Sequence, residues 1–133
     1  MADLKFDILA QVHAHLTQQD VDDIMVSALE GGIYYWCDRV IVTDKYLGKY
    51  ASDQISRGGK LNIHVIPFDD NNTEWYELDI EKFKRGFQLW VENGGDRYNA
   101  INHSDGSVDC GQIDGPCADE IIQYALFGEL VFI

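Results

Sequence analysis

The feature that most constrains this chain is a unit written twice: an amphipathic helix, broken by glycine and continued by apolar residues. In residues 21–29 the apolar side chains Val21, Ile24, Met25, Ala28 and Leu29 recur at i, i+3, i+4, i+7 and i+8, which gathers them into one stripe of an α-helix. Thr17 and Asp20 stand at capping-box spacing, with Asp a shorter substitute for Glu, and Asp20, Asp22 and Asp23 place negative charge at the positive end of the helix dipole. Gly31 or Gly32 ends the helix, because a residue without a Cβ enters the left-handed conformation at little cost. Beyond it, Ile33, Tyr34, Tyr35, Trp36 and Cys37 favour a strand.

The same order returns at the other end. Aligning Val21 with Ala118 makes Asp22/Asp119, Ile24/Ile121, Ala28/Ala125, Leu29/Leu126 and Gly31/Gly128 identical. Two explanations stand side by side: an internal duplication with pseudo-twofold symmetry, or the shared grammar of any acidic-started amphipathic helix with a glycine stop. On either, two helices of one type each deliver a short strand to the core, the second strand being residues 129–133.

Between and before these units the pattern changes. Residues 4–16 alternate, with Phe6, Ile8, Ala10, Val12, Ala14 and Leu16 on one face and Asp7, Gln11, His13 and His15 largely on the other, the pattern of a half-buried strand. Residues 39–43 read as a β-branched strand. Residues 45–59 read as a loop and short helix anchored by Tyr46, Leu47, Tyr50 and Ile55 and ended by Gly58-Gly59. Residues 61–66 and 74–79 read as a hairpin. Asp79 caps a helix whose stripe is Ile80, Phe83, Phe87, Trp90 and Val91, stopped by Gly94-Gly95, with Lys82, Lys84 and Arg85 on its wet side. Residues 96–115 are loop, with a tight turn at Asp105-Gly106, and Pro116 opens the last helix. The sum is a single α+β domain over residues 1–133, with a mostly antiparallel sheet and three main helices.

Charge narrows the function. The chain of 133 residues has a net charge of −13, and its acids lie toward the ends: residues 1–30 carry six acids and one base, residues 93–133 seven and one. Phosphate neutralisation needs Lys and Arg, so this balance argues against direct nucleic-acid binding and suits a partner protein with a basic surface. No apolar run reaches the roughly 18 residues that span a bilayer, and the three cysteines Cys37, Cys110 and Cys117 suit reduced thiols, so a cytoplasmic location is expected. The apolar residues at the C-terminal end need a partner surface, in the chain's own sheet or in a homodimer.

Residues able to carry chemistry are present as candidates rather than as a motif. Tyr34 and Trp36, co-facial if the segment is a strand, with Trp75 and Tyr76 across the sheet, make an aromatic surface of the kind used by pockets and protein hot spots. Arg57, in a stretch of small, hydroxyl and amide residues at 50–59, adds a cation; Tyr34, Trp36, Arg57 and Trp75 are therefore the candidate ligand or partner residues. A thiol mechanism would pair a cysteine with His13, His15, His64 or His103, and Cys117, in the first turn of a helix, is the thiol the dipole would activate. His13 and His15 lack the third and fourth ligands of a zinc site. Asp69, Asp70 and Asn71 lack the glycine and distal Glu of a calcium loop. No metal or cofactor is expected, because no phosphate loop or dinucleotide fingerprint occurs.

The segments Ala28-Leu29-Glu30-Gly31-Gly32 through Tyr35-Trp36-Cys37, Tyr50-Ala51-Ser52-Asp53-Gln54-Ile55-Ser56-Arg57-Gly58-Gly59 and Tyr124-Ala125-Leu126-Phe127-Gly128-Glu129 resemble a family of small uncharacterised proteins of bacteriophages and other mobile elements. The resemblance covers most of the chain. It implies a context, the cytoplasm of an infected or element-carrying bacterium, and assigns no residue a role. Three functions from different classes are open: a non-enzymatic interaction protein that binds a host protein, a small-ligand-binding protein with an aromatic and arginine pocket, and a thiol- or carboxylate-dependent hydrolase or transferase.

Overall fold

The first helix begins where the sequence marks it. In the computed structural model, which describes residues 5–66 and 74–133, Thr17 Oγ1 accepts from the Asp20 amide at 3.0 Å while Asp20 Oδ2 accepts from the Thr17 amide at 2.9 Å, a complete capping box. Helix α1 runs Gln18–Ser27 and widens into a π-type turn over Ala28–Gly32. Gly31, with φ of 144°, breaks it in a conformation that a Cβ would strain.

Residues 33–36 depart from the expected strand and form a tight turn, in which the amides of Trp36 and Cys37 both donate to the Ile33 carbonyl, at 3.1 and 3.0 Å. The turn wins because it buries Ile33 and Trp36 on one side, three residues apart; a strand would have sent them to opposite faces. Pairing starts at strand β1, Cys37–Val42, and continues through β2, Leu61–Val65, and β3, Glu74–Leu78, in an antiparallel sheet of order β1-β2-β3. The β2/β3 pair is the hairpin read from the sequence; its connection, with Asp69, Asp70 and Asn71, lies outside the described residues. In the register Leu61 opposes Leu78, and Ile63 lies between Val40 and Tyr76.

Helix α2, Ile80–Glu92, is capped by Asp79, which accepts from the Lys82 amide at 2.8 Å. Helix α3, Gly115–Phe127, is capped by Asp114 and ends at Gly128 in the left-handed conformation. These two helices meet at a point without a side chain: a Cβ on Gly86 would stand 2.6 Å from the Ala125 Cβ and 2.6 Å from the Ile121 carbonyl oxygen. The core fills the space between helices and sheet, with Ile24, Met25, Ile55, Phe83, Ile121 and Ile122 among its fully buried members, each contributing about 1.5–3 kcal/mol of transfer free energy. This is the expected α+β class, with three α-helices among the described residues. None of those helices is long and apolar enough to cross a membrane.

Two further expected strands are absent among the described residues. Residues 5–14 have no sheet partner, and Phe6, Ile8 and Leu9 are 84, 85 and 91% exposed; alternation makes a strand only where an edge receives it, and the segment's anchor is a bridge of His15 to Ser107. Residues 129–133 are irregular as well. They are held instead by the Gln123 side chain.

Candidate functional site

One carboxylate joins three parts of the chain that are distant in sequence. Asp119 lies one turn into α3, directed inward and 7% exposed. Its Oδ2 accepts from the Tyr35 hydroxyl at 2.5 Å, and its Oδ1 accepts from the Trp36 indole Nε1 at 2.6 Å and from Gln123 Nε2 at 3.0 Å. A buried carboxylate is tolerated when donors replace its hydration, and the 33–36 turn supplies two of the three.

Gln123, one turn further along α3, carries the connection to the C-terminal segment. Its Oε1 accepts from the amides of Val131 and Phe132 at 2.9 and 2.8 Å, and its Nε2 donates to the Phe132 carbonyl at 3.1 Å. A side-chain amide thus anchors the main chain of this segment. The Phe132 ring lies parallel to the Trp36 indole, with 5.5 Å between centroids and 4° between planes.

Beside this network is an open groove of about 710 Å³. Gly31, Gly32 and Gly115 form one wall with backbone, and Tyr35, Leu130 and Phe132 form the apolar side. The wall is closed tightly, since a Cβ on Gly32 would meet the Gly115 carbonyl oxygen at 2.9 Å. The charged side chains lining the groove are Glu30, Asp119 and Glu120, all acidic. Burial, then the hydrogen bond to Asp119, pushes the Tyr35 phenol up to about 12.

The residues singled out from the sequence do not converge. Trp36 is 1% exposed and belongs to the core, so it cannot face a ligand. Tyr34 and Tyr35 are both exposed, contrary to the alternation expected of a strand. Arg57 is engaged elsewhere: its Nη1 pairs with Asp22 Oδ2 at 3.2 Å, and Ser56 donates to Asp22 Oδ1 at 2.6 Å, which ties residues 55–57 to α1. Trp75 lies on the outer sheet face beside His64, 4.6 Å between centroids, with the Arg39 guanidinium 5.4 Å from its ring. An aromatic pocket uniting Trp36 with Arg57 is therefore not formed, because one is packed inside and the other neutralised by Asp22.

The thiols also depart from expectation. Cys117 is the thiol a helix dipole would activate, yet burial and the neighbouring Asp114 carboxylate push it up to about 12. Burial likewise pushes Cys110 up to about 12, next to Asp20, and Cys37 up to about 11. Negative neighbours and lost hydration outweigh the dipole. Among the described residues His64 pairs with Asp38 and His103 with Asp96, and His13 and His15 face one another at 4.6 Å; no histidine bonds a cysteine there. No cluster of three or more His, Cys, Asp or Glu able to hold a metal occurs among the described residues.

These groups give a pH prediction. The unfolded chain loses thiol protons from about 9.0 and phenol protons from about 10.0, whereas folded Cys37, Cys110, Cys117 and Tyr35 keep theirs to about 11 or 12. Above pH 9 the unfolded state binds fewer protons, so stability falls as pH rises. Urea midpoints are expected to be level from neutrality to about pH 9 and to drop steadily beyond it; a midpoint unchanged two pH units higher would contradict the raised proton affinity of these groups in the fold.

Asp119 and Gln123 are site residues that sequence reasoning does not select. Their one sequence signal is the identity of Asp22 and Asp119 in the two look-alike segments, and both prove to be 7% exposed carboxylates that accept bonds from a neighbouring turn. Comparison with protein-family models, curated proteins and solved structures finds no match to this chain.

Proposed function

We propose that this chain is a non-enzymatic interaction protein that binds a basic surface of a host protein in the cytoplasm of a phage-infected or element-carrying bacterium. The observation that carries the reading is the groove whose charged lining is acidic throughout, Glu30, Asp119 and Glu120, on a chain of net charge −13. Such a field attracts cationic partners, accelerates encounter and repels nucleic acid. The three thiols, which burial pushes up from 9.0 rather than down toward neutrality, weigh against the thiol form of the hydrolase reading.

Capture from bacterial lysate on the immobilised protein, at about 50 and about 500 mM salt, tests this, because ions screen exposed charges within a few ångströms at the higher value. The expected result is a basic protein retained at low salt and released at high salt. Retention indifferent to salt, or of acidic proteins alone, would overturn it.

A further inference from the structure

We infer that the groove beside Tyr35 is the docking site for an extended peptide segment of the partner, one that alternates apolar side chains with lysine or arginine. The inference rests on the reading of this chain as a binder of a basic protein and gives that reading an address.

Shape comes first. A groove of about 710 Å³ falls in the range of sites that enclose most of a small ligand's surface, enough for a few residues of a peptide. One wall is the backbone of Gly31, Gly32 and Gly115, against which another main chain approaches without side-chain interference. The other is Tyr35, Leu130 and Phe132, which receive apolar side chains.

Charge then selects the occupant. Asp119 already accepts three hydrogen bonds, from Tyr35, Trp36 and Gln123. Glu30 and Glu120 are different: among the described residues neither forms an ion pair or a side-chain hydrogen bond, and both line the groove. Cationic side chains compensate these carboxylates; an uncharged apolar peptide would desolvate them without return, and an acidic one would be repelled.

The chain itself supplies a precedent. The C-terminal segment lies at one side of this groove, the amides of Val131 and Phe132 and the Phe132 carbonyl bonded by Gln123 and the Phe132 ring stacked on Trp36. A stretch of main chain is thus already seated beside the groove on side-chain hydrogen bonds and an aromatic stack.

The probe is a capped pentapeptide alternating leucine with lysine, with the glutamate-for-lysine version as control, titrated into isotope-labelled protein and monitored by amide chemical shifts. The basic peptide is expected to move the amides of Gly31, Gly32, Tyr35 and Gly115, the acidic one to leave them in place. The double variant Glu30→Gln/Glu120→Gln changes two groove-lining side chains that form no ion pair or side-chain hydrogen bond among the described residues, and should weaken binding roughly fivefold to tenfold. Shifts centred on Arg39 and Trp75 instead, an unchanged affinity in the double variant, or no shift with the basic peptide at millimolar concentration would each overturn the groove. If capture of a basic protein from lysate persists in that double variant, the interaction reading survives and the groove alone fails; if wild-type capture fails as well, both fall.

Discussion

Asp119→Ala is expected to cost about 3 kcal/mol of stability, the sum of a lost charge-assisted network and of a buried indole donor left without an acceptor. Trp36 Nε1 sits in the core, whereas the Tyr35 hydroxyl, on an exposed side chain, recovers hydration. On a chain of this length the loss corresponds to a fall in Tm of roughly 10 °C. Asp119→Asn keeps the shape and one acceptor oxygen, so about half of that loss is expected. Burial is the larger cause of the raised Tyr35 phenol and remains in these variants, so they should bring it only part of the way down from about 12 toward 10.0, by the share owed to the carboxylate's hydrogen bond and charge. Thermal unfolding with an ultraviolet phenol titration checks both; a stable Asp119→Ala protein with an unmoved Tyr35 would show that the network contributes nothing.

Gly86→Ala gives the second large effect, and its sign opposes local propensity. In an isolated helix the change would stabilise by about 1 kcal/mol. Here the new methyl meets the Ala125 Cβ at 2.6 Å, the Ile121 carbonyl oxygen at 2.6 Å and the Ala125 amide at 2.7 Å. Two of these three obstacles are backbone, so α2 and α3 must move apart and open the core between Phe83, Phe87, Ile121 and Ile122. Overpacking of this kind costs about 1–3 kcal/mol, and with contacts this short the strain is expected at or beyond the upper end, which leaves a net loss of about 2 kcal/mol after propensity is credited. Gly86→Val, bulkier and β-branched, should lose more. Denaturant midpoints compared with an exposed α2 control, Gln88→Ala, separate the two effects. A Gly86→Ala protein more stable than the parent would mean the helices do not touch there.

The parts of the fold that the sequence discloses are those governed by local rules. Thr17 and Asp20, Asp79, Pro116 and Gly128 bound the helices through capping and backbone freedom, and their boundaries are set directly by those residues. The β2/β3 hairpin comes from alternation on either side of turn-forming residues. The failures occur where a distant surface decides. Residues 33–36 have strand propensity, yet packing of Ile33 and Trp36 against the helices makes them a turn. Residues 129–133 look like a closing strand, but Gln123 reaches their backbone first. Residues 5–14 alternate without an edge to join.

The candidate site is less legible than the fold for the same reason. Tyr34, Trp36, Arg57 and Trp75 stand out by their chemistry, and each finds its own local partner or packing environment. Asp119 and Gln123, four residues apart on α3, have no signature of their own, because a buried polar residue differs from a surface one only by what the fold brings to it. Gly86 is invisible in the same way: a glycine in mid-helix reads as a weakness until the facing helix is known.

Asp119 gathers α3, the 33–36 turn and the C-terminal segment into the wall and floor of the acidic groove, and the groove stands or falls with that one carboxylate. Hydrogen exchange of the three tryptophan indoles tests its role most directly. Trp75 is exposed, Trp90 is buried with no hydrogen-bond partner for Nε1 among the described residues, and Trp36 is buried and bonded to Asp119. The prediction is that the Trp36 indole exchanges only through global unfolding, far more slowly than Trp75, and resonates downfield of Trp90. A Trp36 indole that exchanges as fast as that of Trp75 would contradict it.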